Sequence, residues 1–313
     1  MKIHLQGMGL LGSIIAWHLE ERCIPFVWSD IDANVCAWRA STGCVYPSGD
    51  NAEFDAYVQW REWNNGGAPW SDRLGHISET AAYWFLTKNP PHGAKYGIAN
   101  QVGKLRMGTR PTVQVNVQRF VEDTRRAFFA RHWTGEPATD STVVVSHGYD
   151  RRRLSHFKWG WSAKVKLEVA PEILWKSEVF GRPNLYLKRG AMSFLIYAYP
   201  VPGEPEHWYA GSSVIRQTTP KALEVEKKFA FWKRCVEETS EGAVKVLEAS
   251  YFSEGWRPCA KDDDTEFSRW IDGQLVVRPM SHSGVRLSPL VVDDVLGKLN
   301  LKGNAIHSTG NAA

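Results

Sequence analysis

Six residues near the start of the chain, Gly7-Met8-Gly9-Leu10-Leu11-Gly12, spell GxGxxG, and Asp30 follows 23 residues after the first glycine. In such a motif the first glycine permits a tight turn and the second lets backbone approach a pyrophosphate. The third lets a helix pack closely on a strand. The free N–H groups at that helix's N-terminus face the phosphates, and an acid at this spacing accepts a ribose hydroxyl. The pattern reads as a dinucleotide site, open between NAD and FAD because both use it. Farther along, Ala40-Ser41-Thr42-Gly43 forms a small-residue turn. Such a turn can lay amides against a phosphate or a flat ring, or be an ordinary surface loop. Near the C-terminus, Ser283-Gly284-Val285-Arg286 lies between a strand-like run and a helix-like one. It would aim a second positive helix end at something anionic or electron-rich.

These residues need elements to hold them. Lys2–Gln6 alternates as a strand, Ser13–Cys23 carries a helical apolar face, and IPFVWSD reads as a second strand ending at Asp30, with Asp32 just beyond. Residues 116–133 form an amphipathic helix with apolar Val117, Phe120, Val121, Thr124, Ala127, Phe128 and His132. Val143–Val145 is wholly apolar, as in a parallel strand buried on both faces, and is expected beside Lys2–Gln6. Residues 161–217 alternate as antiparallel strands, with Pro202-Gly203-Glu204-Pro205 as a turn, and 219–248 read as a charged amphipathic helix. Residues 51–110 are rich in Trp, Gly and Pro and show no strand–helix rhythm.

Composition bounds the rest. The 313 residues, 43% hydrophobic and 23% charged, exclude a disordered chain, and no apolar run approaches the ~18–20 residues a bilayer demands. Length points to two domains. Lys+Arg 38 against Asp+Glu 34 leaves +4, too little to define a nucleic-acid binder. Five cysteines without a CxxC pair argue against a zinc site or a disulfide framework and point to a reducing compartment. With no signal-like N-terminus, a cytoplasmic location is expected. The 15 Trp outnumber both Phe and Tyr and concentrate in 51–110 and 156–256, where they could wall a pocket.

Taken in order, the motifs resemble the FAD-dependent amino-acid and amine oxidases of the glycine oxidase, D-amino-acid oxidase and sarcosine oxidase group. The resemblance runs from GxGxxG with Ala16, through Asp30, Ala40–Gly43, the helix at Asn116, VVVSHG and WYAGSSV, to Gly255-Trp256-Arg257-Pro258 and SHSGVRLSP. It implies an α/β fold: a Rossmann-like FAD-binding domain with an interleaved antiparallel-sheet α+β substrate domain. Residues 1–50, 111–160 and 250–313 would form the first, and 51–110 and 161–249 the second. By that resemblance Gly7, Gly9 and Gly12 hold the FAD pyrophosphate and Asp30 the ribose, while Ala40, Ser41, Thr42 and Gly43 pass along the cofactor. Amides around Ser283, Gly284, Val285 and Arg286 face the flavin N1–C2=O edge, where charge develops on reduction. Arg257 occupies the place of the family arginine that binds a substrate carboxylate; a surface pair with Asp262–Asp264 is its plain alternative. The activity implied is hydride removal from the carbon beside an amine nitrogen, followed by hydrolysis of the imine.

The chain departs from the family in being shorter, in SHG replacing a more usual small-residue–Thr–Gly, and in the Trp-rich 51–110 segment. His147 and His282 read as structural, and Cys44 and Cys259 as small buried thiols rather than flavin tethers. Two basic, aromatic-interleaved clusters read first as a solvated basic face with the tryptophans in the core, and second as contacts to a substrate carried on a nucleotide or DNA base. One is Arg151–Arg153 with Lys158, Trp159, Trp161, Lys164 and Lys166; the other is Arg125, Arg126, Arg131 and Trp133. An NAD(P)-dependent dehydrogenase, and a non-catalytic nucleic-acid-binding protein on a degenerate flavoprotein fold, are the other readings.

Overall fold

The computed structural model describes residues 1–30, 36–47, 51–70, 77–85, 95–102, 105–147, 153–174, 182–189, 194–217, 224–261, 263–280 and 284–301. The first elements are β1 (Lys2–Gln6), α1 (Leu10–Glu21), β2 (Phe26–Ser29), β3 (Cys44–Val45), α2 (Asn51–Glu62), β4 (Ile77–Phe85), β5 (Lys95–Val102) and β6 (Leu105–Val115). After them come α3 (Val117–Ala127), β7 (Ser141–Val145), β8 (Leu154–Val169), β9 (Asn184–Arg189), β10 (Phe194–Pro200) and β11 (His207–Gln217). The last are α4 (Val225–Thr239), β12 (Val244–Ala260), β13 (Ser268–Ile271), β14 (Gln274–Val277) and α5 (Ser288–Lys298).

Two sheets organise the chain. The first has five strands in the order β13-β14-β7-β1-β2, parallel except for the β13–β14 hairpin. As the apolar run implied, Val143–Val145 pairs with β1, with Leu5 opposite Val144. Val144, Leu275 and Val277 point to the face covered by α1 and α5, while Val143, Val145 and Val276 pack on the opposite face. Burial on both sides explains the absence of polar alternation.

The second sheet has nine strands, ordered β12-β8-β11-β10-β9-β4-β6-β3 with β5 paired to β6. It is antiparallel apart from β4 against β9. Strands β8 to β11 answer to the alternating block expected over 161–217. Three differences from the sequence reading have physical causes. The stretch 51–110, in which no strand–helix rhythm was read, holds β4, β5 and most of β6, because pairing partners rather than local pattern select these strands. The helix expected over 219–248 is α4; beyond it Glu241 (φ 52°) and Gly242 (φ 84°) turn the chain into β12, whose β-branched Val244 and Val246 are buried. In the helix expected over 116–133, α3 stops at Ala127 and a short 3-10 turn follows. Strands β8 and β12 run through residues 160 and 250, so the divisions at 160/161 and 249/250 fall inside single strands.

The tryptophans are mainly structural. Trp159 and Trp161 are 1% exposed, in the core between the second sheet and α4. Trp60, Trp63 and Trp70 meet edge to face at 5.0 Å intervals, and Trp70 reaches Phe120 of α3 at 5.4 Å. His18 sits against Trp63 and Trp70, and burial, with a smaller push from Arg22, lowers its pKa to about 4. It is therefore neutral at neutral pH, as its apolar setting demands.

The basic runs are likewise committed. Arg153 is fully buried and grips Asp264 with Nε and Nη2, each at 2.5 Å, while also donating to the carbonyls of Val276 and Glu266. Lys164 pairs with Glu204 at 2.8 Å and Lys166 with Glu206 at 2.7 Å. Alternation along β8 thus turns Trp159 and Trp161 inward and pairs Lys164 and Lys166 outward, so the tryptophans of this stretch are not available for stacking. Arg151, Arg152 and Asp262 lie outside the described residues. Replacing Asp264 by Asn is expected to leave the Arg153 charge uncompensated in the core. Urea unfolding should show a loss of about 3–5 kcal/mol.

Candidate functional site

A cavity of about 320 Å³ opens where the C-terminal end of β1, the segment 36–46, β10, the end of β12 and the turn before α5 converge. It is built around the first turn of the parallel sheet. Gly7 adopts φ 103° and hydrogen-bonds back to Ser29 O at 2.8 Å, turning the chain off β1 into α1. Gly9 is the N-cap of α1 with no side-chain cap, so the amides of the first turn keep their donors. A Cβ on Gly12 would stand 2.0 Å from Gly7 O, and one on Gly7 would stand 2.8 Å from His147 Cβ. Gly7 and Gly12 are required because main chain passes close by them; Gly9 meets only the Trp38 ring at an ordinary 3.5 Å.

Gly7, Gly9 and Asp30 line the cavity, and Gly12 lies just behind it, buried. Asp30 Oδ1 accepts the Met8 N–H at 3.3 Å and Oδ2 pairs with Arg125 Nη2 at 2.6 Å. Arg125, on α3, also donates to Met8 O at 2.9 Å and lies 5.1 Å from the Trp38 ring and 5.8 Å from that of Trp28. In sequence Arg125 belongs to a basic cluster with Arg126, Arg131 and Trp133. Folding instead brings it to the acid of the fingerprint, a meeting that spacing could not reveal.

Ser41, Thr42 and Gly43 line the same cavity, whereas Ala40 is buried behind it at 1% exposure. Gln118 Nε2 donates to Arg39 O and Gln114 Nε2 to Thr42 O, lacing this segment to α3 and β6. Gly43, at φ 66°, leaves no room for a side chain: its Cβ would meet Val115 O at 1.8 Å. Cys44 is half-buried rather than buried and lines the cavity; Cys259 is 4% exposed, as expected of a core thiol. Neither shape nor chemistry separates Cys44 from its loop in sequence, where a small turn residue reads as packed.

From the C-terminal part, Arg257, Gly284, Val285 and Arg286 reach the cavity; Ser283, His282 and Asp32 lie outside the described residues. Arg257 stands on β12 beside Gly160 of β8, where a Cβ would come within 3.2 Å of its Nη2. Among the described residues its guanidinium has no hydrogen-bond or ion-pair partner; Asp264, of the acidic run that follows it in sequence, is taken by Arg153. Tyr197 and Tyr199, alternate residues of β10, stack at 5.0 Å and line the cavity with it. Sequence reasoning did not assign them, although the Y-A-Y spacing places both rings on one face of a strand. Arg286, by contrast, pairs with Glu53 at 2.7 Å and lies 4.7 Å from the Tyr46 ring. His147 is also at the wall, next to Gly7. Of the described tryptophans only Trp38 and Trp256 line this cavity; the 51–70 group packs in the core. Among the described residues there is no cluster of His, Cys, Asp or Glu that could hold a metal ion, and no helix long and apolar enough to cross a membrane.

A parallel sheet with a glycine-lined turn, joined to a large antiparallel sheet across one cavity, defines a fold class: that of the FAD-dependent oxidoreductases. Among solved structures, iminodiacetate oxidase from Chelativorans sp. BNC1 is similar with a TM-score of 0.65 and 13% identity, over 97% of this chain and 96% of that one. Glycine oxidase from Geobacillus kaustophilus gives 0.64 and 15%, over 97% and 95%. The FAD-bound L-α-glycerophosphate oxidase from Mycoplasma pneumoniae gives 0.60 and 10%, over 96% and 94%. The likeness is one of fold along nearly the whole chain. No protein-family model and no curated protein matches the sequence.

Proposed function

We propose that this chain is an FAD-dependent oxidoreductase acting on the CH–NH or CH–NH2 group of a small, carboxylate-bearing amine such as an amino acid or an N-substituted glycine. The observation that carries the reading is the Arg257 guanidinium, without a partner among the described residues, facing the same cavity as Gly7, Gly9 and the 284–286 turn. FAD fits this cavity: the turn at Gly7–Gly12 has the close main-chain approach a pyrophosphate requires, and Asp30 offers carboxylate oxygen to a ribose. Bound there, FAD would supply the two-electron acceptor for hydride leaving the carbon next to nitrogen.

The chain's own contribution is positional. Arg257 fixes the carboxylate with two parallel hydrogen bonds, and the Tyr197–Tyr199 pair walls the space beside it. A substrate held at one end presents one C–H in one direction, which lowers the barrier by removing orientational freedom. The nitrogen lone pair follows the departing hydride into a C=N bond, and water then splits the imine into a carbonyl compound and an amine. No strong base is needed when the amine binds uncharged.

A free small amine is preferred here to one carried on a nucleotide or DNA base. Trp159, Trp161 and Arg153 are in the core, and Lys164 and Lys166 are already paired. The neighbours named above include oxidases of both amines and a glycerophosphate, and the free arginine is what favours the carboxylate-bearing amine.

The test is purification, an absorption spectrum, and anaerobic titration with glycine, sarcosine and iminodiacetate. The expected result is a yellow protein whose flavin absorbance is bleached by at least one of them. A colourless protein that binds NAD(P) instead, or bound flavin that no amine reduces, would overturn the proposal.

A further inference from the structure

Helix α2 belongs to the Trp-rich stretch that carries no recognisable chemistry, yet it grips the turn before α5 at two consecutive residues. Trp60 Nε1 donates to Val285 O at 2.9 Å, and Glu53 holds the Arg286 guanidinium at 2.7 Å. Seven residues separate Glu53 from Trp60, so both lie on one face of α2, with buried Ala56 and Tyr57 between them. Trp60 is itself 1% exposed and braced by Trp63, so the grip is anchored in the core.

Geometry gives the grip a consequence. In a trans peptide C=O and N–H point in opposite directions. Drawing Val285 O toward α2 therefore turns the Arg286 N–H away from α2. Among the described residues that N–H meets no acceptor, and residues 284–286 line the cavity. Meanwhile Glu53 and the ring of Tyr46 keep the Arg286 charge in one place and partly neutralised.

We propose that Trp60 and Glu53 are positioning residues that fix the Arg286 amide and guanidinium toward the redox end of the cofactor. Together they set how much more tightly the reduced, more negative form is held than the oxidised one. This rests on the FAD reading above.

The two residues act with opposite sign. Trp60→Phe keeps an aromatic side chain but removes the indole donor to Val285 O, leaving the peptide only the longer 3.4 Å bond from Ser288 N–H, so the reduced form loses a firmly fixed dipole. Glu53→Gln removes the charge that offsets Arg286, so the reduced form gains attraction. The experiment is the midpoint potential of bound FAD, with flavin content and melting temperature recorded alongside. Trp60→Phe is expected to weaken relative binding of reduced FAD about tenfold, equivalent to about 30 mV more negative for a two-electron couple. Glu53→Gln is expected to move the potential the other way. If Trp60→Phe does not accumulate as folded protein, the direction of the Glu53→Gln shift decides. Unchanged potentials in flavin-loaded variants, or a negative shift for Glu53→Gln, overturn the inference while leaving the FAD reading intact. Wild-type protein that binds no FAD overturns both.

Discussion

Arg257→Ala protein is expected to fold and to hold FAD as the wild type does, and to lose most of its kcat/KM for carboxylate-bearing amines. The guanidinium packs over Gly160 and faces the cavity, with no described partner that its removal would strand. Stability should therefore change little. Losing an enclosed charge pair with the substrate costs about 2–5 kcal/mol. With each 1.4 kcal/mol worth a factor of ten, that is a loss of about 30-fold at the least. The loss should fall mainly on KM if the carboxylate is held equally in the ground and transition states, and on kcat if the anchor also aligns the C–H. Arg257→Lys keeps the charge but not the fork, so it should recover only part of the activity. An amine without a carboxylate should react equally with both proteins. Steady-state kinetics on a matched pair of substrates, with and without the carboxylate, checks all of this; equal rates for wild type and Arg257→Ala on the acid would remove the assigned role.

Gly12→Ala should have an effect at least as large by a different route. The new methyl carbon would stand 2.0 Å from Gly7 O and 3.0 Å from Ser146 Oγ, which itself donates to Gly7 O at 2.7 Å. Neither neighbour is the far end of a flexible side chain, so α1 must move away from the turn by about 1 Å or more. That displaces the amides meant for the pyrophosphate, and misplacement on this scale can cost about 100-fold. Overpacking should also lower stability by about 1–3 kcal/mol. Fluorescence titration of the apoprotein with FAD, alongside urea unfolding, separates the two contributions. FAD affinity within a factor of two of wild type would show that the third glycine does not govern the cavity.

Where sequence reasoning succeeded, the physics is short-ranged. The GxGxxG turn is legible from six residues, because Gly7 at φ 103° and the approach of Gly12 to Gly7 O belong to one strand-to-helix turn, although His147 and Ser146 from beyond β7 crowd the same glycines. Val143–Val145 announced a strand buried on both faces because nothing polar interrupts it. The turns at Ala40–Gly43 and 284–286 were legible for the same reason, being local punctuation in the backbone.

Where it failed or was silent, the deciding quantity was a partner. Arg153 and Arg125 read as surface cations, yet one is sealed against Asp264 and the other is locked to Asp30. The acidic run was the alternative partner for Arg257, and of that run Asp264 is engaged by Arg153. Strands β4 to β6 exist because they find each other and β9, not because 77–115 alternates cleanly.

The sequence by itself determined that a strand, a glycine turn, a helix and a second strand would follow one another at residues 2–29. It also determined the order of the later pieces that face that turn. Only the tertiary structure decided which charges are consumed and which remain, and that the Trp-rich α2 clasps the turn at Val285 and Arg286. The glycine turn announces itself because its backbone conformation is a property of a few consecutive residues. The fate of a charge is fixed by whatever strand register and helix packing bring beside it from distant parts of the chain.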